Sequence, residues 1–259
     1  MTALYLYCIV KAARKPSLAG VPDGLPGGTR PEMLHVAGSI WLVATEVPLA
    51  TYGSGHLDRH LADVNWVGRI ALAHEAVVET FAQKASATVI PMKLFTMFST
   101  RERAVSDISA RRASIDASMR RIAGAEEWGI RIMRGEQSSK KRHGGTGVRA
   151  TSGVAFLAAK KKARDTAKDA RLAAAEAAAT AFERLARLAT DARRRDDAPA
   201  AGTIPPLLDA AFLVPSARRA TFTQTARREA AACARAGAQM MLSGPWPAYN
   251  FVRGDERNR

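Results

Sequence analysis

From Val154 to Arg195 the chain runs without a glycine or a proline, and sixteen of those forty-two residues are alanine. Alanine loses no side-chain entropy on entering a helix, so the stretch predicts one long helix. Its apolar stripe is thin, Leu172, Phe182, Leu185 and Leu188, and Lys161/Asp165 and Glu183/Arg187 stand at i,i+4 on the sides expected to face water. Such a helix needs a sheet to cover, and its flanks supply the strands. Before it, "EEWGIRIMR" (Glu126 to Arg134) reads as extended. After the proline-bearing "DDAPAAGTIPP" come a strand "LLDAAFLVP" (Leu207 to Pro215), a helix over 217–236 containing Phe222, and a strand "AQMMLSG". The order β-α-β-α-β makes 125–259 one α+β domain. Within it the basic, glycine-rich "SSKKRHGGTGVRATSG" marks 138–153 as a flexible loop, and 244–259 as a tail.

The preceding residues, 1–124, form a second α+β unit. An apolar β-favouring run at 3–10 is followed by a Pro/Gly segment that only a loop accommodates. In "MLHVAGSIWLVATEV" two apolar runs flank Gly38-Ser39, a two-residue hairpin signal. Positions 57, 61, 64, 67, 70, 74, 77, 78 and 81 fall on one stripe of a helix, provided His74 is admitted to it. An extended segment over 86–98 follows, which Pro91 confines to an edge or a bulge, and then a helix over 101–123 stopped by Gly124. Helices are expected on one face of each sheet.

Charge is concentrated in the second half. Residues 1–100 hold eight Lys/Arg against seven Asp/Glu; residues 101–259 hold thirty-one against seventeen, which is nearly all of the net +15. No apolar run reaches the length of a membrane span, and the apolar N-terminus has no basic region before it, so a soluble, cytoplasmic protein is expected, with no membrane contact. Cys8 and Cys233 are too few for a disulfide framework and are expected to be reduced and buried.

Catalytic patterns are missing. His56 and His60 share a helical face but lack a third ligand, and His74 begins "HEAVV" where a zincin needs a second histidine at position 78. There is no nucleophile elbow, dinucleotide fingerprint or phosphate loop; "GGTG" at 144–147 lacks the Lys-Ser/Thr that would complete one. The acidic pairs Glu126/Glu127 and Asp196/Asp197 read as solvated charge. The expectation is therefore no enzyme, no cofactor, no metal and no small-molecule substrate. A basic nucleic-acid-binding module is the alternative, carried by charge alone, since the aromatic platforms near the basic stretch, Phe156 and Phe182, sit at positions that suit a core.

The tail carries the most specific signal. "LSGPWPAYNFV" (Leu242 to Val252) sets Trp246 between Pro245 and Pro247 and adds Tyr249 and Phe251. Together with "EEWGIRI" around Trp128 and "VIPMKLFTMF" around Pro91, it resembles the gas vesicle GvpL/GvpF family, whose closing motif is Gly-Pro-Trp-Pro-Pro-Tyr followed by Phe-Val. The likeness covers nearly the whole chain. It departs at Ala248, in place of a second proline, and at Leu94-Phe95-Thr96, in place of Phe-Gly-Thr. The resemblance implies a non-enzymatic assembly factor or minor structural protein of gas vesicles, which contacts the hydrophobic shell protein and other accessory proteins. It also implies two α+β domains, the C-terminal one a modified ferredoxin-like unit. The candidate structural anchors or partner contacts are Pro91, Trp128, Pro245, Trp246, Pro247, Tyr249 and Phe251. Trp246 and Tyr249 are expected to cover the end of the last sheet as a buried anchor, with edge strands near Pro91 or at the last strand free for main-chain pairing.

Overall fold

The computed structural model describes residues 1–84, 87–135, 153–195 and 204–252. Of the expected loop 138–153 all but Gly153, which opens a helix, lies outside them, as do the "GGTG" stretch and Asp196/Asp197. The chain divides into two units, Met1–Glu127 with Pro245–Arg259, and Trp128–Gly244. The division falls inside a strand rather than at 124/125, and the tail groups with the first unit, not with the domain whose sequence it closes.

In the first unit, β1 (Thr2–Lys11) is the central strand of an antiparallel sheet ordered β2-β3-β1-β4, with β2 at Glu32–Ala37, β3 at Ile40–Pro48 and β4 at Thr88–Pro91. The turn between β2 and β3 is the expected hairpin, and Gly38 takes its positive φ of 56°. Every residue of β1 from Ala3 to Val10 is buried, so both of its faces are covered, against the expectation of helices on one face only. Successive side chains of a strand point to opposite faces, and this one is apolar throughout instead of alternating.

The single helix expected over 57–81 is three pieces: α1 (Leu49–Tyr52), α2 (Ser54–Leu61) and α3 (Val64–Ala82). Asp63 makes the break, because its carboxylate accepts the backbone N–H groups of Asn65 and Trp66 and so starts α3 afresh. Leu61 and Val64, counted in the stripe, flank that break and are exposed. From Ile70 onward the stripe holds: Ile70, His74, Val77, Val78 and Phe81 are buried against Tyr5, Tyr7, Val10 and Val89. The extended segment over 86–98 is β4, a turn, and a two-residue β5 (Met97–Phe98) that also pairs with β1. The helix over 101–123 is likewise split at Arg111 into α4 (Arg101–Ala110) and α5 (Arg112–Ile122).

In the second unit, β6 (Ala125–Arg134) leads to α6 (Gly153–Ala186), β7 (Asp191–Arg194), β8 (Leu208–Pro215), a 3-10 turn at Ser216–Arg218, α7 (Arg219–Arg235) and β9 (Ala238–Trp246). The sheet order is β7-β8-β6-β9. The long helix therefore stops at Ala186, short of Arg195, and the residues assigned to its last turns form β7. Thr190 fixes the change of direction, donating both its N–H and its hydroxyl to the Leu213 carbonyl. With β7 included the succession is β-α-β-β-α-β, that of a ferredoxin-like unit.

The seam of α6 is alanine: Ala174, Ala178, Ala181 and Leu185 are buried, at spacings of four, three and four, whereas Leu172 is exposed. Small side chains let the helix lie close to Phe212 and Phe222. Neither the Lys161–Asp165 nor the Glu183–Arg187 pair appears among the ion pairs of the described residues.

Candidate partner-docking site

The tail is held through side chains that the sequence reading did not pair. The Tyr249 hydroxyl donates to Glu75 Oε2 of α3 at 2.6 Å, and the Asn250 N–H donates to Glu127 Oε2 at 2.8 Å while its side-chain amide reaches Glu127 Oε1. Phe251 is fully buried, and Pro247 and Ala248 are buried beside it in sequence. Glu127, expected to be solvated, is only 3% exposed and serves as the receptor of Asn250. Burial raises the Glu75 carboxyl above its ordinary range, opposed by the hydrogen bond from Tyr249, and burial also raises the Tyr249 phenol.

Trp246 is not part of this anchor. It is 45% exposed, and Pro245 beside it is exposed too, so the anchoring role expected of Trp246 belongs to Tyr249, Asn250 and Phe251. Pro91 ends β4 at the sheet edge, where a residue without N–H breaks no ladder, and it is buried opposite Cys8. Trp128 is a core residue of the second unit, packed with Phe222 at 6.0 Å between centroids.

One stretch of exposed apolar side chains lies along β9. This strand ends the order β7-β8-β6-β9 and runs nine residues without a single charge. Met241, Leu242 and Trp246 are exposed on it. The other sheet edges are defended: β7 carries Asp191, Arg193 and Arg194, β2 begins at Glu32, and β4 ends in Pro91. Only Pro245, near its end, interrupts β9. Gly129 brings β6 close to it, since a Cβ there would meet the Ser243 hydroxyl at 2.6 Å. Among the described residues no strand pairs with the outer edge of β9.

Acid-base groups are present but closed off. Tyr5 Oη and His74 Nδ1 lie 2.8 Å apart in the core, and burial lowers the His74 imidazole to about 4 and raises the Cys8 thiol. Cys8 and Cys233 are buried free thiols. His56 Nδ1 accepts from the Arg59 guanidinium, His60 stacks on Trp66, and among the described residues no three His, Cys, Asp or Glu side chains gather to hold a metal ion. Among them too, no helix is long and apolar enough to cross a membrane. Phe156 is exposed rather than in a core, and Phe182 is half-buried beneath the Arg194 guanidinium.

Comparison with known proteins agrees with this architecture. A family model described as "Gas vesicle synthesis protein GvpL/GvpF" matches residues 3–253. A curated relative, "Gas vesicle protein L" of Streptomyces sp. (strain CB03234), is 27% identical over 258 residues, covering 94% of this chain and 91% of that one. Two solved structures share the fold: gas vesicle protein GvpF from Anabaena sp. PCC7120, with a TM-score of 0.68 at 16% identity, covering 100% of this chain and 99% of that one, and GvpF from Microcystis aeruginosa, with a TM-score of 0.63 at 16% identity, covering 97% and 99%.

Proposed function

The chain belongs to the GvpL/GvpF family of gas vesicle synthesis proteins, and from that premise we propose that it is a non-catalytic assembly factor or minor structural protein that binds the hydrophobic shell protein, and other accessory proteins, while gas vesicles form. It acts in the cytoplasm and at the growing vesicle. The observation that carries this reading is the uncharged, exposed edge of β9 with Met241, Leu242 and Trp246 along it. A shell protein must keep one face apolar and is prone to aggregate before it is assembled. Main-chain pairing with an open edge supplies affinity, and the apolar side chains along that edge select an apolar strand.

The test is deletion of the coding sequence in the host, with cells scored for buoyancy and for vesicles by electron microscopy. Few or malformed vesicles are expected, restored by the intact chain. Normal vesicle numbers and shape in the deletion strain contradict the reading.

A further inference from the structure

A second surface, on the helical side of the second unit, has the opposite character to β9. A groove of about 510 Å³ runs between the end of α6 and α7. Arg184 borders it from the last turn of α6 and Arg187 from the turn just after that helix, Arg228 and Arg235 border it from α7, and Leu188 and Ala232 form part of its lining. Glu229 is the acidic group in this lining; its side chain is 5% exposed and is held by Arg184 at 2.8 Å. That pair is neutral as a unit. Arg187, Arg228 and Arg235 are exposed and have no carboxylate partner among the described residues, so the groove carries three uncompensated positive charges around a half-buried apolar lining.

We infer that this groove docks an acidic amphipathic helix of a partner protein. Two features select that occupant over a phosphate or a nucleic acid. The apolar lining at Leu188 and Ala232 offers a phosphate nothing, whereas an apolar helix face covers both residues. The spacing also fits. Arg228 and Arg235 are seven residues apart on α7, two turns or about 10.5 Å, which is the spacing of carboxylates at i and i+7 on a facing helix. Arg187, on the opposite wall, takes a third carboxylate, and guanidinium-carboxylate pairing at the mouth of the groove fixes register while the apolar faces meet beneath it.

The inference adds a class of partner to the assembly reading and rests on it only for the setting in which that partner is met. Its test is separate. The full chain is titrated by fluorescence anisotropy with a labelled synthetic helix of about five turns, leucine on one face and glutamates flanking it at i, i+4 and i+7. The comparison variants are R187E/R228E/R235E and, as a control of equal charge change on the exposed part of α6, R164E/K168E/R171E. Arg184 is left intact because Glu229 depends on it. About a tenfold loss of affinity is expected for the groove variant, as three exposed ion pairs are removed, and less than twofold for the control. Should the glutamate variant melt lower than wild type, the triple glutamine version takes its place, with a smaller loss expected in the same order. Equal losses in groove and control variants overturn the inference, as does undiminished binding of the helix with glutamine in place of glutamate. Displacement of the helix by inorganic phosphate or by duplex DNA at comparable concentration overturns it in favour of an anion site.

Discussion

Phe95 holds φ at 64°, the one non-glycine residue in the left-handed region among those described. A side chain there costs roughly 1–2 kcal/mol. Its ring compensates, packing on the core and lying parallel to Trp66 at 5.9 Å. The motif that this segment resembles has glycine at that position, so the departure visible in the sequence marks a backbone that glycine suits better and a ring that fills its own niche. Phe95→Gly and Phe95→Ala both remove the ring, but only glycine relieves the backbone. The glycine variant is expected to be the more stable by about 1 kcal/mol in urea unfolding; equal midpoints or the reverse order contradict the account.

His74 gives a pH dependence of definite sign. The unfolded imidazole protonates near 6.5 and the folded one not until about 4, so between those values the unfolded chain binds more protons. Stability is then fully present above pH 6.5 and falls on acidification, by about 3 kcal/mol at most at pH 4. Glu75, with its carboxyl raised, works in the opposite direction, gaining stability as pH falls from its folded value toward 4.5. His74→Gln keeps a partner for Tyr5 and does not titrate, so its acid limb is expected to be shallower than wild type; parallel limbs refute the assignment. His74 was legible in the sequence as a member of the α3 stripe. Glu127 was not, because a carboxylate next to another at a strand start looks solvated until Asn250 is brought to it by the tail.

At the scale of elements, apolar periodicity located most helices and strands but not their interruptions. The breaks at Asp63 and Arg111 leave the period nearly in phase, so each helix pair reads as one. β7 escaped for a different reason. "DARR" has helix-compatible residues and no β-branched ones, and its strand state comes from pairing with β8, with Asp191 opposite Leu213, which is a long-range fact. The same limit explains the tail: two prolines and three aromatics announce that side chains hold it, but which of them is buried depends on where Glu75 and Glu127 lie. Phe251→Ala is accordingly expected to cost about 3–5 kcal/mol, whereas Trp246→Ala should leave the melting temperature within the scatter of a surface change, roughly 0.5 kcal/mol. A large drop in melting temperature for Trp246→Ala reinstates it as the anchor.

At the scale of the whole molecule, the charge asymmetry and the open edge lie in the same half of the chain. The second unit combines an uncharged strand edge at β9 with an arginine-bordered groove between α6 and α7. The resemblance to the GvpL/GvpF family was legible in the sequence, since its motifs are local; the open edge was not, because strand order decides which strand is left unpaired. The proposed role of β9 in receiving the shell protein is tested by retention of purified shell protein on the immobilised chain at moderate salt, wild type against Met241→Lys. Lysine there adds charge to the exposed edge and removes no core residue. Retention by wild type and its loss in the lysine variant, at an unchanged melting temperature, is the predicted result; no retention by wild type, or equal retention by both, contradicts it.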